Sequence, residues 1–185
     1  MRARTNLETA MRAQRSLFME MNSYLWGFEM LVRIATPEDS ERVARLNYDL
    51  ALCHVSFHPL YRLKENASEL SLAYIKDKIE KSTLGDGLVL VAQDKGIVGY
   101  LMCSIKDQHP NVEIRKIGHI GLVYVIPAYR RRGIAAALMK EALKWLKERK
   151  VEYVDLNVDV QNATAFAAWT AIGFEPHRRN LVKKL

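Results

Sequence analysis

Cysteine is scarce in this chain of 185 residues. Cys53 and Cys103 stand far apart with no Cys-x-x-Cys pair, which excludes a disulfide framework and a zinc site of ordinary spacing. Both read as small buried hydrophobes. Also missing is any run of about 18 apolar residues, so no membrane-spanning helix is expected, and no basic head, apolar middle and small-residue cleavage site marks a secretory leader. Together these absences read as a cytoplasmic protein. Two nucleotide-binding loops are missing as well: no Gly-x-x-x-x-Gly-Lys-Ser/Thr occurs, and no Gly-x-Gly-x-x-Gly follows a strand. What is present, 49% hydrophobic and 26% charged, suits one soluble globular domain with a real core.

The net charge of +7 is unevenly spread, for residues 129 to 150 alone carry +6 of it. Such a patch can neutralise nucleic-acid phosphates or serve one polyphosphate ligand. It carries no interleaved aromatics for base stacking, and no helix-turn-helix, zinc-finger or RNA-recognition signature accompanies it, which argues against a nucleic-acid module.

At the head of that patch an apolar run, Val123-Tyr124-Val125-Ile126, stops at Pro127 and restarts as a helix behind Arg130-x-x-Gly133-x-Ala135. The first amides of a helix have no intrahelical partner, and the helix dipole concentrates positive charge beside them. An anion docks there. Gly133 and Ala135 keep the backbone bare, and Arg130, Arg131 and Arg132 add charge-assisted donors, so the turn suits a diphosphate. Three arginines opening a helix are also what a solvated basic helix end looks like.

Residues 1–30 read as an N-terminal extension with helical spacing at Leu7, Met11, Phe18, Met21 and Leu25; a presequence, or a translation start upstream of Met30, are the other readings. A domain over residues 31–185 follows. A strand at Val32–Ile34 leads through Thr36 as N-cap and Pro37 into a helix reaching Leu52. A second helix is expected over Ala67–Lys81, then a hairpin of Leu88–Gln93 and Ile97–Ile105 across Asp94-Lys95-Gly96. A strand at Ile117–Val125, an amphipathic helix at Ile134–Arg149, a strand at Val151–Val160, a helix at Ala163–Ile172 and a last strand at Asn180–Leu185 complete the order. Hairpin strands followed by α/β alternation imply an α/β fold, one mixed sheet with helices on its faces.

Taken in order, three stretches resemble the GNAT superfamily of acyl-CoA N-acyltransferases. The strand-loop-helix from Val123 through Arg130-x-x-Gly133-x-Ala135 is similar to the family's acetyl-CoA signature. Asn162-x-x-Ala165 with Gly173-Phe174 is similar to its second cofactor motif, and Val32 to Asp39 resembles its first strand and helix. The resemblance implies a sheet split between the strands at 117–125 and 151–160, with pantetheine in the cleft. The amides and carbonyls of Val123 and Val125 would pair with it as an added strand. The diphosphate of acetyl-CoA would rest on the amides of Arg131, Arg132, Gly133, Ile134, Ala135 and Ala136. Asn162 would bind cofactor or nearby water, or simply cap the helix at 163.

The chemistry so implied is direct attack of a primary amine on a thioester, which needs a base, an oxyanion donor and a departing thiolate. In members resembling histone acetyltransferases a glutamate on the strand before the loop is the base. Counting back from Arg130 without gaps places His119 there, and an imidazole titrates near neutrality. His119 also reads as a strand histidine that merely packs. His54 and His58 are alternatives in a loop, His54 to Glu65, that with Lys106 to Arg115 is expected to shape the acceptor pocket. Where the family carries a tyrosine that protonates the thiolate, this chain has Trp169, a donor that is no acid. Proton delivery then falls to water or Tyr124, and Trp169 either walls the thioester pocket or packs. An N-acetyltransferase is the first expectation, a non-catalytic acyl-CoA sensor the second and a nucleic-acid module the third. A homodimer stays open.

Overall fold

The computed structural model describes residues 30–185, so the helical spacing read at 1–29 lies outside the described residues. Five strands make one sheet in sequence order: β1 (Leu31–Ile34), β2 (Leu88–Gln93), β3 (Ile97–Asp107), β4 (Lys116–Val125) and β5 (Val154–Leu156). The first four pair antiparallel, and β5 joins β4 in parallel. Four helices accompany them: α1 (Ser40–Val55), α2 (Ala67–Leu84), α3 (Ile134–Glu148) and α4 (Ala163–Thr170). The mixed α/β sheet expected from the sequence is therefore present.

Leu88–Ala92 of β2 and Ile97–Cys103 of β3 read as near-continuous apolar runs because both faces of the sheet are covered there. Leu88, Leu90, Leu101 and Ile120 turn to one side, where Leu138, Met139, Ala142 and Leu146 of α3 meet them. Val89, Val91, Tyr100 and Tyr124 turn to the other, against Val43 and Leu46 of α1 and Ile75 and Ile79 of α2. Leu138 and Leu146 are buried almost completely, which at ordinary transfer values stabilises by roughly 1.5–3 kcal/mol for each side chain. Close packing also explains two glycines. A Cβ on Gly118 would lie 2.6 Å from Leu146 Cδ1, and one on Gly99 would lie 2.9 Å from the carbonyl oxygen of Tyr124.

Several boundaries differ from the sequence expectation. Pro37–Asp39 forms a separate 3-10 turn, and α1 begins only at Ser40. α2 runs on to Leu84, where Gly85 at φ 90° stops it. The strand expected over Val151–Val160 is only three residues long. Val151 is held instead by α3, its N–H donating to the Leu146 carbonyl at 3.2 Å. Beyond Leu156 the chain turns on Asp159, whose Oδ1 accepts from Gln161 N at 2.9 Å. No strand forms over Asn180–Leu185; the sheet ends at β5, so its apolar residues Leu181, Val182 and Leu185 have no ladder to join and stay exposed.

The entry to α1 is tied to β1 by a carboxylate. Asp39 accepts from Arg33 Nη1 at 2.6 Å and Nη2 at 2.9 Å, and from Thr36 N–H at 2.8 Å. The Arg33 hydrogen bond holds the Asp39 carboxyl below the usual carboxylate range, outweighing burial, which pushes the other way. A carboxyl depressed in the fold stabilises at neutral pH and loses that contribution as pH falls through its folded pKa. Asp39→Asn should therefore cost about 1–3 kcal/mol at pH 7, with the deficit shrinking below about pH 4, as followed by chemical denaturation at the two pH values. Gly99→Ala should cost roughly 1–3 kcal/mol, because backbone must move to admit the methyl. Gly121→Ala, where the nearest atom to the new Cβ is 3.8 Å away, should leave the denaturation midpoint nearly unchanged.

Candidate active site

Pairing along β4 is unequal on its two edges. Against β3 it runs from Lys116 to Val125; against β5 it covers only Gly118↔Val154, His119↔Asp155 and Ile120↔Leu156. From Gly121 onward the β5 side of β4 is open. A register shift in the β3–β4 ladder falls at this same place, where Met102 faces Leu122 and Cys103 faces Ile120, so Gly121 is the extra residue of a bulge. The bulge resets which residues face which way. Ile126 N donates to the Val98 carbonyl at 2.9 Å, which places the backbone groups of Leu122 and Tyr124 toward β3 and those of Val123 and Val125 toward the open edge.

One of those edge groups is already engaged. Arg130 Nε donates to the Val125 carbonyl at 3.0 Å, and the guanidinium lies 5.5 Å from the centre of the Tyr124 ring. The edge expected to offer two amides and two carbonyls thus keeps both amides and the Val123 carbonyl. Arg130 closes the loop onto the strand that precedes it, while Arg132 lies 4.9 Å from the centre of the Tyr129 ring, and the Tyr129 hydroxyl donates to Asp94 Oδ2 at 2.8 Å. The carboxylate partner raises the Tyr129 phenol above its ordinary range. Two arginines of the three are laid against tyrosines, and the turn they flank is fixed at both ends.

Within that turn Arg131 and Gly133 take left-handed conformations, at φ 64° and 76°. An arginine there is uncommon; a glycine is not. The first intrahelical bond of α3 is Ala137 N to Gly133 O at 2.9 Å, so helix geometry leaves the amides of Ile134, Ala135 and Ala136 without intrahelical partners. They crown the positive end of the helix just past the open edge of β4, an arrangement suited to a phosphate.

His119 lies on the opposite face of β4 from α3, with Leu122 and Tyr124. Its Nδ1 meets Asp155 Oδ1 at 2.6 Å across the parallel pair, the imidazole 13% exposed and the carboxylate 44%. Asp155 was not among the residues expected from the sequence, where it is one of several acidic residues alternating with apolar ones over Val151–Val160. Burial raises the Tyr124 hydroxyl above the ordinary phenol range and pushes Cys103 to about 12, so Cys103 is an inert core thiol. Cys53 is half-buried against the same cluster as Tyr124.

The remaining expected residues fall into other tasks. His58 Nδ1 accepts from Leu60 N at 3.0 Å and caps the short turn Pro59–Tyr61. His54 at the end of α1 packs at a tilt against Phe57 and Tyr61, ring centres 5.9 and 5.5 Å away; burial lowers its pKa, partly opposed by Asp159. Asn162 caps α4, its Oδ1 accepting from Ala165 N at 3.0 Å. Trp169 packs half-buried against the core on the α3 side, the packing role weighed for it above.

This geometry has counterparts. The model of the acetyltransferase (GNAT) family matches residues 48–174. An N-alpha-acetyltransferase of Saccharolobus solfataricus is 26% identical over 163 residues, covering 85% of this chain and 87% of its own. Another, of Sulfurisphaera tokodaii, is 27% identical over 162 residues with the same coverage. Among solved structures, the tetramutant of a Bacillus halodurans protein superposes with a TM-score of 0.73 at 22% identity, over 84% of this chain and 99% of that one. An aminoglycoside N-acetyltransferase in complex with CoA gives 0.67 at 16% identity, over 84% and 94%. With the split β4–β5 edge and the bare helix turn beside it, the match over more than half its length places the chain in the acetyltransferase (GNAT) family, as an N-acetyltransferase.

Proposed function

We propose that the protein transfers the acetyl group of acetyl-CoA to a primary amine, and that the amine is the α-amino group of a polypeptide N-terminus. Acetyl-CoA is the acyl donor of the family. In our reading its pantetheine arm lies along the open edge of β4, paired with the Val123 and Val125 amides, and its diphosphate rests on the amides of Arg131 to Ala136. The Val125 N–H region serves as oxyanion donor, where a fixed dipole stabilises the charge that develops on the carbonyl. His119 removes the acceptor proton.

The observation that carries this reading is the His119–Asp155 pair, one step before the β4–β5 pairing ends at Ile120↔Leu156. It sets a basic nitrogen beside the edge on which the thioester would lie. The acceptor class is supported by two considerations. The relatives matched over 85% of the chain are named N-alpha-acetyltransferases, whereas an Acinetobacter haemolyticus aminoglycoside acetyltransferase is matched over 47%. An α-amine ionises near pH 7.7–8.0 against about 10.4 for a lysine, so an imidazole can deprotonate the former at far smaller cost.

Release of free thiol from acetyl-CoA should accompany acetylation of a short peptide with a free N-terminus and an internal lysine, and blocking that N-terminus should abolish it. Acetylation of the blocked peptide at lysine, or of aminoglycosides alone, would contradict the acceptor assignment. Tight acetyl-CoA binding with no turnover on any amine would favour the acyl-CoA sensor instead. His119→Ala should lower kcat by roughly 10²–10⁴-fold with little change in KM for acetyl-CoA; an unchanged kcat would remove His119 from the reaction.

A further inference from the structure

We propose that Asp155 is a positioning residue for the transfer step: it fixes the tautomer and orientation of His119 so that Nε2 is the basic nitrogen, and Gly121 keeps that edge of the ring uncovered. This rests on the reading of His119 as base. It goes beyond it by assigning a proton to each ring nitrogen and a task to two residues that no motif marks.

The contact is short and cross-strand. Asp155 and His119 are direct partners in the parallel β4–β5 register, and Nδ1 meets Oδ1 at 2.6 Å. An ionised carboxylate can only accept, so the hydrogen between them belongs to Nδ1. The neutral ring then carries its lone pair on Nε2. A second observation says where that nitrogen's edge runs. The atom nearest to a Cβ built on Gly121 is His119 Cδ2, at 3.8 Å, and Cδ2 is bonded to Nε2. Gly121 is exposed, lies in the bulge and is the first β4 residue past the β5 pairing. The Cδ2–Nε2 side of the imidazole is therefore flanked by a bare backbone at the mouth of the split. Asp155, half-exposed on the short β5, can be changed without opening a cavity in the core.

The proton inventory closes. The acceptor ammonium gives one proton to Nε2, and the imidazolium so formed is stabilised by the Asp155 carboxylate, which stays ionised. The amine nitrogen then bonds to the acetyl carbon, the C–S bond breaks, and the sulfur leaves with its electron pair. The second proton lost from nitrogen ends on the thiolate, and the imidazolium returns its own to solvent. An orienting carboxylate behind an imidazole base follows the logic of hydrolase triads, where neutralising it misassigns the tautomer.

The test uses the full chain. Asp155→Asn should lower kcat by about 10-fold or more on the N-terminal peptide while KM for acetyl-CoA stays within about twofold, and Asp155→Glu should recover part of the loss. In the His119→Ala background Asp155→Asn should add nothing, since the two act as one unit. Nitrogen-15 NMR of labelled histidine should show His119 protonated at Nδ1 in the parent, with that preference lost in Asp155→Asn. Gly121→Leu should lower kcat while leaving the denaturation midpoint near that of the parent. If His119→Ala collapses kcat but Asp155→Asn does not, or if the parent carries its hydrogen at Nε2, the positioning role is overturned and the base reading stands. If His119→Ala is also silent, both fall.

Discussion

Everything in this molecule that bears on chemistry depends on the unequal pairing of one strand. β4 is bound to β3 along its length but to β5 for three residues only, so its second half carries backbone groups that no strand satisfies. Such groups are costly when buried without partners. Here they lie on an unpaired edge, and Arg130 takes one of them, the Val125 carbonyl. What stays open is a short edge ready to accept an extended ligand with amides of its own.

The bulge at Gly121 makes that edge specific. Were Gly121 paired regularly, the face occupied by His119 would continue to Gly121 and Val123; with Gly121 bulged out of the ladder, His119 shares its face with Leu122 and Tyr124, and the Val123 and Val125 amides turn outward. One bulged glycine thus sets both the face that His119 shares and the edge toward which the Val123 and Val125 amides turn. The loop that follows is braced by Arg130 on Val125 and by Arg132 on Tyr129, with Asp94 of the β2–β3 turn holding Tyr129 in place. The turn that opens α3 is therefore anchored to the sheet at two points.

Much of this was legible in the residues and some was not, for physical reasons. The turn at Arg130 to Ala136 can be read because its form depends on residue types, bare Gly and Ala at a helix start, at fixed spacing. His119 could be picked out as a candidate by its offset from Arg130, since both lie on one continuous strand and the loop that follows it. Asp155 could not, because contact across a parallel pair depends on register between segments far apart in sequence. The bulge is hidden for the same reason, as it exists only relative to β3. The strand expected over Asn180–Leu185 failed because apolar residues make a strand only where an edge receives them, and the alternating stretch Val151–Val160 was shortened by the pull of α3 on Val151 and by the turn at Asp159.

The most direct measurement of the central claim is a crystal structure with acetyl-CoA bound. On this account the pantetheine amides lie about 3 Å from the Val123 and Val125 backbone groups, the diphosphate sits on the amides of Arg131 to Ala136, and the acetyl carbon faces the His119 side of β4. A cofactor bound elsewhere with the Val123 and Val125 edge left empty, or an acetyl group on the α3 side of the sheet, would contradict it.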